Sequence, residues 1–259
     1  MSQAVMRDAS PAKITVEGVQ KTFRTKKDDV LVLNGVSLEV RSEEFLAIVG
    51  PSGCGKSTLL NCIAGFEAID AGRIAIDGET VTGLSRKRVF VFQETGIFPW
   101  LTVRENIGFG LFDVPGRRRE EAVARYVKLV GLEGFERSYP NELSGGMKQR
   151  VEFARALAVE SDVLYLDEPF GALDAFTRLE MRREIQRIWK ATKKTCLLVT
   201  HDVEEAVELA DRIAVMTRRP ATIQEVLDNA IPRPRDPDAA EFRALKQRIF
   251  DILGVERKV

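Results

Sequence analysis

The chain has 259 residues, 44% of them hydrophobic, enough for one substantial core with a subdomain. Lys plus Arg number 39 and Asp plus Glu 39, so a formal net charge of zero offers no electrostatic grip on nucleic acid or anionic lipid. No apolar run approaches the ~20 residues of a membrane-spanning helix, and residues 1–11 lack the apolar stretch of a secretory signal. Cys54, Cys62 and Cys196 are an odd number without metal-ligand pairing, which fits reduced thiols in a cytosolic protein.

In chain order, residues 14–40 and 72–92 carry short alternating runs broken by turns. Asp77-Gly78, set between Ile74-Ala75-Ile76 and Thr80-Val81, predicts a hairpin. Residues 45–49, 163–166 and 195–199 are nearly continuous apolar runs, the pattern of strands buried on both faces of a parallel sheet, with 212–216 a fourth. The stretch 101–160 is helix-rich, and 119–130 and 147–158 show helical spacing of apolar residues. After Arg219, Pro220, Pro232, Pro234 and Pro237 predict an irregular tail. A final amphipathic helix follows, with Phe242, Leu245, Ile249 and Ile252 on one face, expected to pack on the core.

The first run leads directly into Gly50-Pro51-Ser52-Gly53-Cys54-Gly55-Lys56-Ser57-Thr58, a match to G-x-x-x-x-G-K-[ST], and then into an apolar helix over 58–64 that ends at Gly65. Strand, glycine loop and helix together make a phosphate cradle. The glycines let backbone N–H groups converge on phosphate oxygens, and the helix N-terminus adds partial positive charge. Lys56 is placed to reach the β- and γ-phosphates and the Ser57 hydroxyl to ligate Mg²⁺. Cys54, beside Lys56 and a helix N-terminus, sits where a thiolate is favoured, which predicts inhibition by thiol alkylation and protection by Mg-ATP.

The run 163–166 delivers Asp167-Glu168 at its C-terminal end, where open α/β sheets bind ligands. Strand alternation lets the two acids take different jobs: Asp167 an outer-shell Mg²⁺ contact, Glu168 polarisation of the attacking water. Leu143-Ser144-Gly145-Gly146-Met147 puts a good N-cap and two glycines before the next helix. Alone that is a capping pattern; beside a phosphate loop it reads as a second anion site.

With these motifs in place, the chain resembles the ATP-binding cassette (ABC) family from Ile14 to about Met216: an α/β P-loop NTPase (RecA-like) core, an antiparallel β subdomain and an α-helical signature subdomain. In that likeness residues 50–58 are similar to the family's Walker A, 163–168 to its Walker B with catalytic glutamate, and 143–147 to its signature. Met147 stands where glutamine is commonest. Gly171-Ala172-Leu173-Asp174 resembles the D-loop, with Asp174 placed at the nucleotide. Gln93 falls at the Q-loop glutamine (Mg²⁺ or water) and His201, the only histidine, at the switch histidine. Phe23 corresponds to the aromatic that stacks on adenine. The resemblance implies residues 1–220 as the ATPase cassette with its helical subdomain inserted at about 101–160, and 221–259 as a tail.

It further implies Mg-ATP hydrolysis by a head-to-tail homodimer, each ATP held by 50–58 of one copy and Ser144-Gly145-Gly146 of the other. Three outlets stay open: an importer subunit with a separate permease and a substrate-binding protein, an exporter subunit, or a soluble non-transport cassette. Residues 93–106 and Met216-Thr217-Arg218-Arg219-Pro220 are similar to the nitrate/sulfonate/taurine importers, although Ala221 replaces the usual glycine. That points to the cytoplasmic face of the bacterial inner membrane. Phe98 and Trp100 either receive the permease or pack within the helical subdomain.

Overall fold

The computed structural model describes residues 12–254 apart from 27, 86, 93–95, 160, 162 and 172. Its centre is a six-stranded sheet in the order β10-β9-β3-β8-β7-β6. These strands are β3 (Phe45–Val49), β6 (Arg88–Val91), β7 (Val163–Asp167), β8 (Thr195–Thr200), β9 (Arg212–Met216) and β10 (Ile223–Asp228). All neighbours pair in parallel except β10, which runs antiparallel along β9.

The apolar runs are continuous because both faces of this sheet are covered. Leu46 and Ile48 of β3 face one core, together with Leu59, Leu60 and Ile63 of α1 (Lys56–Ala64). Phe45, Ala47 and Val49 face the other, with Met181 and Ile185 of α5 (Ala175–Thr192) and Ala206 and Val207 of α6 (Val203–Leu209). The same alternation sends Tyr165 towards α1 and Leu164 and Leu166 away from it.

A four-stranded antiparallel sheet, β2-β1-β4-β5, closes over the α1 side. It comprises β1 (Ala12–Arg24), β2 (Asp29–Arg41), β4 (Ala71–Ile76) and β5 (Glu79–Thr80). The expected hairpin is present: Ile76 pairs with Glu79, and Asp77 and Gly78 both sit at positive φ. The third layer is helical: α2 (Val103–Gly108), α3 (Gly116–Leu129) and α4 (Gly145–Ala158) around Ile107, Tyr126, Val127 and Leu157. Helix α2 opens on a reciprocal capping box between Thr102 and Glu105. Helix α4 belongs to two cores at once, Val151 and Leu157 in the helical one and Phe153 and Ala156 in the sheet one.

Past Pro220 the irregular tail expected from sequence is corrected. Ala221 is fully buried, its N–H donates to Val32 O, and β10 then adds an edge strand to the main sheet. The prolines hid this because an edge strand tolerates breaks that a central one does not. Helix α7 (Ala240–Ile252) buries Phe242 and Ile249 completely against the α6 side of the sheet, with Leu245 and Ile252 half-buried beside them. Arg235 locks the approach to it. Its buried guanidinium donates to the carbonyls of Val207, Glu208 and Ala210 at the end of α6, and to Asn229 and Ile231. No helix among the described residues is long and apolar enough to cross a membrane.

Candidate active site

The site lies where β3, β7 and β8 end together. The loop leaving β3 turns at Gly55, whose φ is 122° and where a Cβ would stand 2.7 Å from Val32 Cγ1 of β2. No other residue fits there. Helix α1 then starts without any side-chain cap, leaving its first-turn N–H groups to an acidic ligand. The Lys56 ammonium is buried and donates to Gly50 O at 3.0 Å and Pro51 O at 3.2 Å, so the loop folds around its own cation.

Cys54 departs from the expectation of a thiolate. It is only 2% exposed, and burial pushes its thiol up more than Lys56 and the loop's N–H groups lower it. A loop that is open in sequence packs its third side chain inward, against the backbone of Gly50.

Strand alternation separates the two acids as expected. Asp167 turns to the α1 side, where the Ser57 hydroxyl donates to its Oδ1 at 2.9 Å. Burial raises the Asp167 carboxyl, with the Ser57 bond opposing. A hydroxyl and a carboxylate converging in this way form a hard-oxygen donor set that suits Mg²⁺. Glu168 sits just past the strand at φ 45°, an uncommon conformation for a residue with a side chain, held by its N–H donating to Val199 O at 2.9 Å. That turn aims its Oε2 at His201 Nδ1, 2.9 Å away. A cavity of about 60 Å³ lies beside the pair, lined in part by Gly171, Arg178 and Glu205.

The second loop is built as a cap. Ser144 Oγ accepts from Met147 N at 3.3 Å and opens α4. At Gly146 a Cβ would stand 2.7 Å from Thr177 Cγ2, so α4 and α5 approach here as only glycine permits. Within one copy, no hydrogen bond among the described residues joins 144–146 to 50–58.

Asp174, Phe23 and Gln93 are the further residues expected at the site. Asp174 is the N-cap of α5, its carboxylate taken up by Phe176 N, Thr177 N and the Thr177 hydroxyl. Those bonds make it a helix cap first. Phe23 is half-buried near the end of β1, with the Lys21 ammonium 4.9 Å from its ring centre. Gln93 lies outside the described residues.

Sequence reading passed over Glu152. Its fully buried carboxylate on α4 accepts from Phe92 N and Gly96 N, and burial raises it to about 7. The available signal was a lone acid amid the apolar positions of a helix.

Residues 33–171 match the family model described as ABC transporter. The chain belongs to the ABC transporter family. The cassette is 44% identical, over 92% of its length and 94% of the relative's, to the aliphatic sulfonates import ATP-binding protein SsuB of Bacillus cereus. It is 45% identical to the bicarbonate transport ATP-binding protein CmpC of Synechococcus elongatus, over 95% of this chain but 39% of that longer protein. Among solved structures it is similar to the dimeric bacterial ABC transporter cassette MJ0796, with TM-score 0.72 and 31% identity over 83% of this chain and 98% of that one. A post-hydrolysis form of the same cassette, bound to ADP and Pi, gives 0.71 at 29% identity, over the same shares of the two chains.

The cassette is thus an ATP hydrolase of a transporter, built on the P-loop architecture with its two subdomains. Its helical layer also carries an aromatic patch. The Phe98 ring lies 5.5 Å from Trp100 and 4.5 Å from Phe109, and Trp100 is 69% exposed. Phe98 is therefore the packed member and Trp100 the presented one.

Proposed function

We propose that this cassette powers an importer of small oxyanions, working as a head-to-tail homodimer around two Mg-ATP. The observation that carries the catalytic part is the Glu168–His201 contact at the end of β7 and β8, next to Ser57 and Asp167. Glu168 takes the proton of the attacking water, and His201 holds that carboxylate in place and meets the γ-phosphate. Lys56 exchanges its loop carbonyls for phosphate oxygens, and the uncapped first turn of α1 receives the rest of the chain of phosphates. Phe23 offers a ring face to adenine.

Ser57 and Asp167 would hold Mg²⁺, with Gln93 as a third contact. The ion supplies charge neutralisation for the departing phosphate. Ser144, Gly145 and Gly146 of a second copy complete each site, and Asp174 fixes the helix beside that joint. This division explains why one copy leaves the two anion-binding loops unconnected.

The aromatic patch around Trp100 is the docking face for an integral-membrane permease at the cytoplasmic side of the bacterial inner membrane. A substrate-binding protein delivers the solute from the other side. Relatives named for sulfonates and for bicarbonate match at nearly equal identity, which supports an oxyanion and favours neither. Nitrate and taurine belong to the same set. The catalytic assignment is tested with Glu168→Gln: it keeps ATP binding, loses turnover and accumulates an ATP-bound dimer. Hydrolysis at the parent rate would overturn it. Transport by the reconstituted complex, offered nitrate, sulfonates, taurine and bicarbonate in turn, tests the substrate class.

A further inference from the structure

Sequence singled out Arg218-Arg219-Pro220 only as a subfamily likeness, and the catalytic scheme gives these residues no task. The structure places one of them at the phosphate loop. Strand β9 pairs in parallel with β3, Val215 opposite Val49, so the chain leaving β9 runs beside the chain leaving β3. Gly50 packs on Met216, whose carbonyl oxygen would be 3.0 Å from a Cβ at that glycine. Three residues on, the Arg219 guanidinium comes within 3.7 Å of the Cβ position of Gly53. It is near enough to Cys54 to favour that residue's thiolate, although burial outweighs it.

The turn that carries Arg219 is pinned at both ends. Thr217 N donates to Thr222 O, Thr222 N donates to Thr217 Oγ1, Ala221 N donates to Val32 O, and Asn34 N donates to Ala221 O. A long side chain on a fixed base loses less freedom when it grips a ligand. Arg219 is exposed, and among the described residues no carboxylate or other hydrogen-bond acceptor compensates its charge. The neighbouring cation, Lys56, is by contrast already bound to Gly50 O and Pro51 O. An exposed guanidinium at the rim of a loop shaped for phosphates has one obvious anion to meet.

We propose that Arg219 is a second cation for the phosphates of ATP, closing on them from the β9 side while Lys56 holds them from α1. The inference rests on reading residues 50–58 as the ATP phosphate loop, so Lys56→Ala is run beside it as a control.

The test is equilibrium binding of fluorescent ATP and AMP analogues to the full-length protein, with steady-state ATPase kinetics, for the parent, Arg219→Met and Arg219→Lys. Loss of one charged hydrogen bond weakens ATP binding in Arg219→Met roughly tenfold. KM should rise in parallel, with kcat within about twofold. Arg219→Lys recovers part of the loss. Between about 50 and 300 mM salt the ATP affinity of Arg219→Met should fall less steeply than the parent's, while AMP binding is the same in both.

ATP binding within about twofold of parent in Arg219→Met overturns the proposal. So does lowered kcat at unchanged affinity and KM, which would place Arg219 at a contact between copies instead. If Lys56→Ala also binds ATP normally, the phosphate-loop reading itself fails. If Lys56→Ala fails to bind and Arg219→Met does not, only the second cation is lost.

Discussion

Glu205 is 3% exposed, and nothing in its position suggests a titrating group until its surroundings are set out. The Thr200 hydroxyl donates to one carboxylate oxygen, and the other has no partner among the described residues. Arg178 and Arg182 of α5 lie near enough to favour the charged form, Asp202 opposes it, and Arg182 already pairs with Asp202 and Glu208. Burial dominates and raises the group from 4.5 to about 7. At 1.36 kcal/mol per pH unit that is about 3 kcal/mol between the two protonation states.

In the folded chain Glu205 therefore holds a proton that the unfolded chain has already released. The associated stability is fully present below about pH 4.5 and is lost by about pH 7. Glu205→Gln keeps the shape and the Thr200 bond but cannot ionise. Urea unfolding of both proteins at intervals from pH 5 to pH 8 isolates the effect, because other titrations cancel in the difference. The variant should lie within about 1 kcal/mol of the parent near pH 5 and exceed it by about 3 kcal/mol at pH 8. A difference that is flat with pH, or that favours the parent as pH rises, would refute the reasoning.

Two further outcomes follow from burial and bonding elsewhere. Arg235→Met should cost about 3 kcal/mol, because it strips the donor from three carbonyls at the end of α6 and from those of Asn229 and Ile231, and the loss should appear as a lowered urea midpoint. All three cysteines are buried, so a thiol-reactive dye should label the native protein slowly at neutral pH and three thiols at once after denaturation. Fast native labelling of Cys54 that Mg-ATP blocks would restore the thiolate expected from sequence.

The core sheet and the candidate site were legible from sequence for a local reason. A strand buried on both faces has to be apolar throughout, and a phosphate loop has to place glycines, lysine and hydroxyl at fixed spacing, so both write themselves into consecutive residues. The alternation that turns Asp167 to Ser57 is local too, whereas the turn that aims Glu168 at His201 is held by Val199 of the neighbouring strand. What tertiary structure decided depends on neighbours far along the chain. Cys54 is buried and its thiol raised because the loop packs it inward, Glu152 is a buried brace because α4 lies under residues 92 and 96, and the tail becomes a strand because β9 has a free edge. Arg219 shows the same limit: the sequence placed it after a strand, but only the parallel pairing of β9 with β3 brings it to the phosphate loop. Spacing along a chain records what one segment must be, and pairing between segments decides which charges meet.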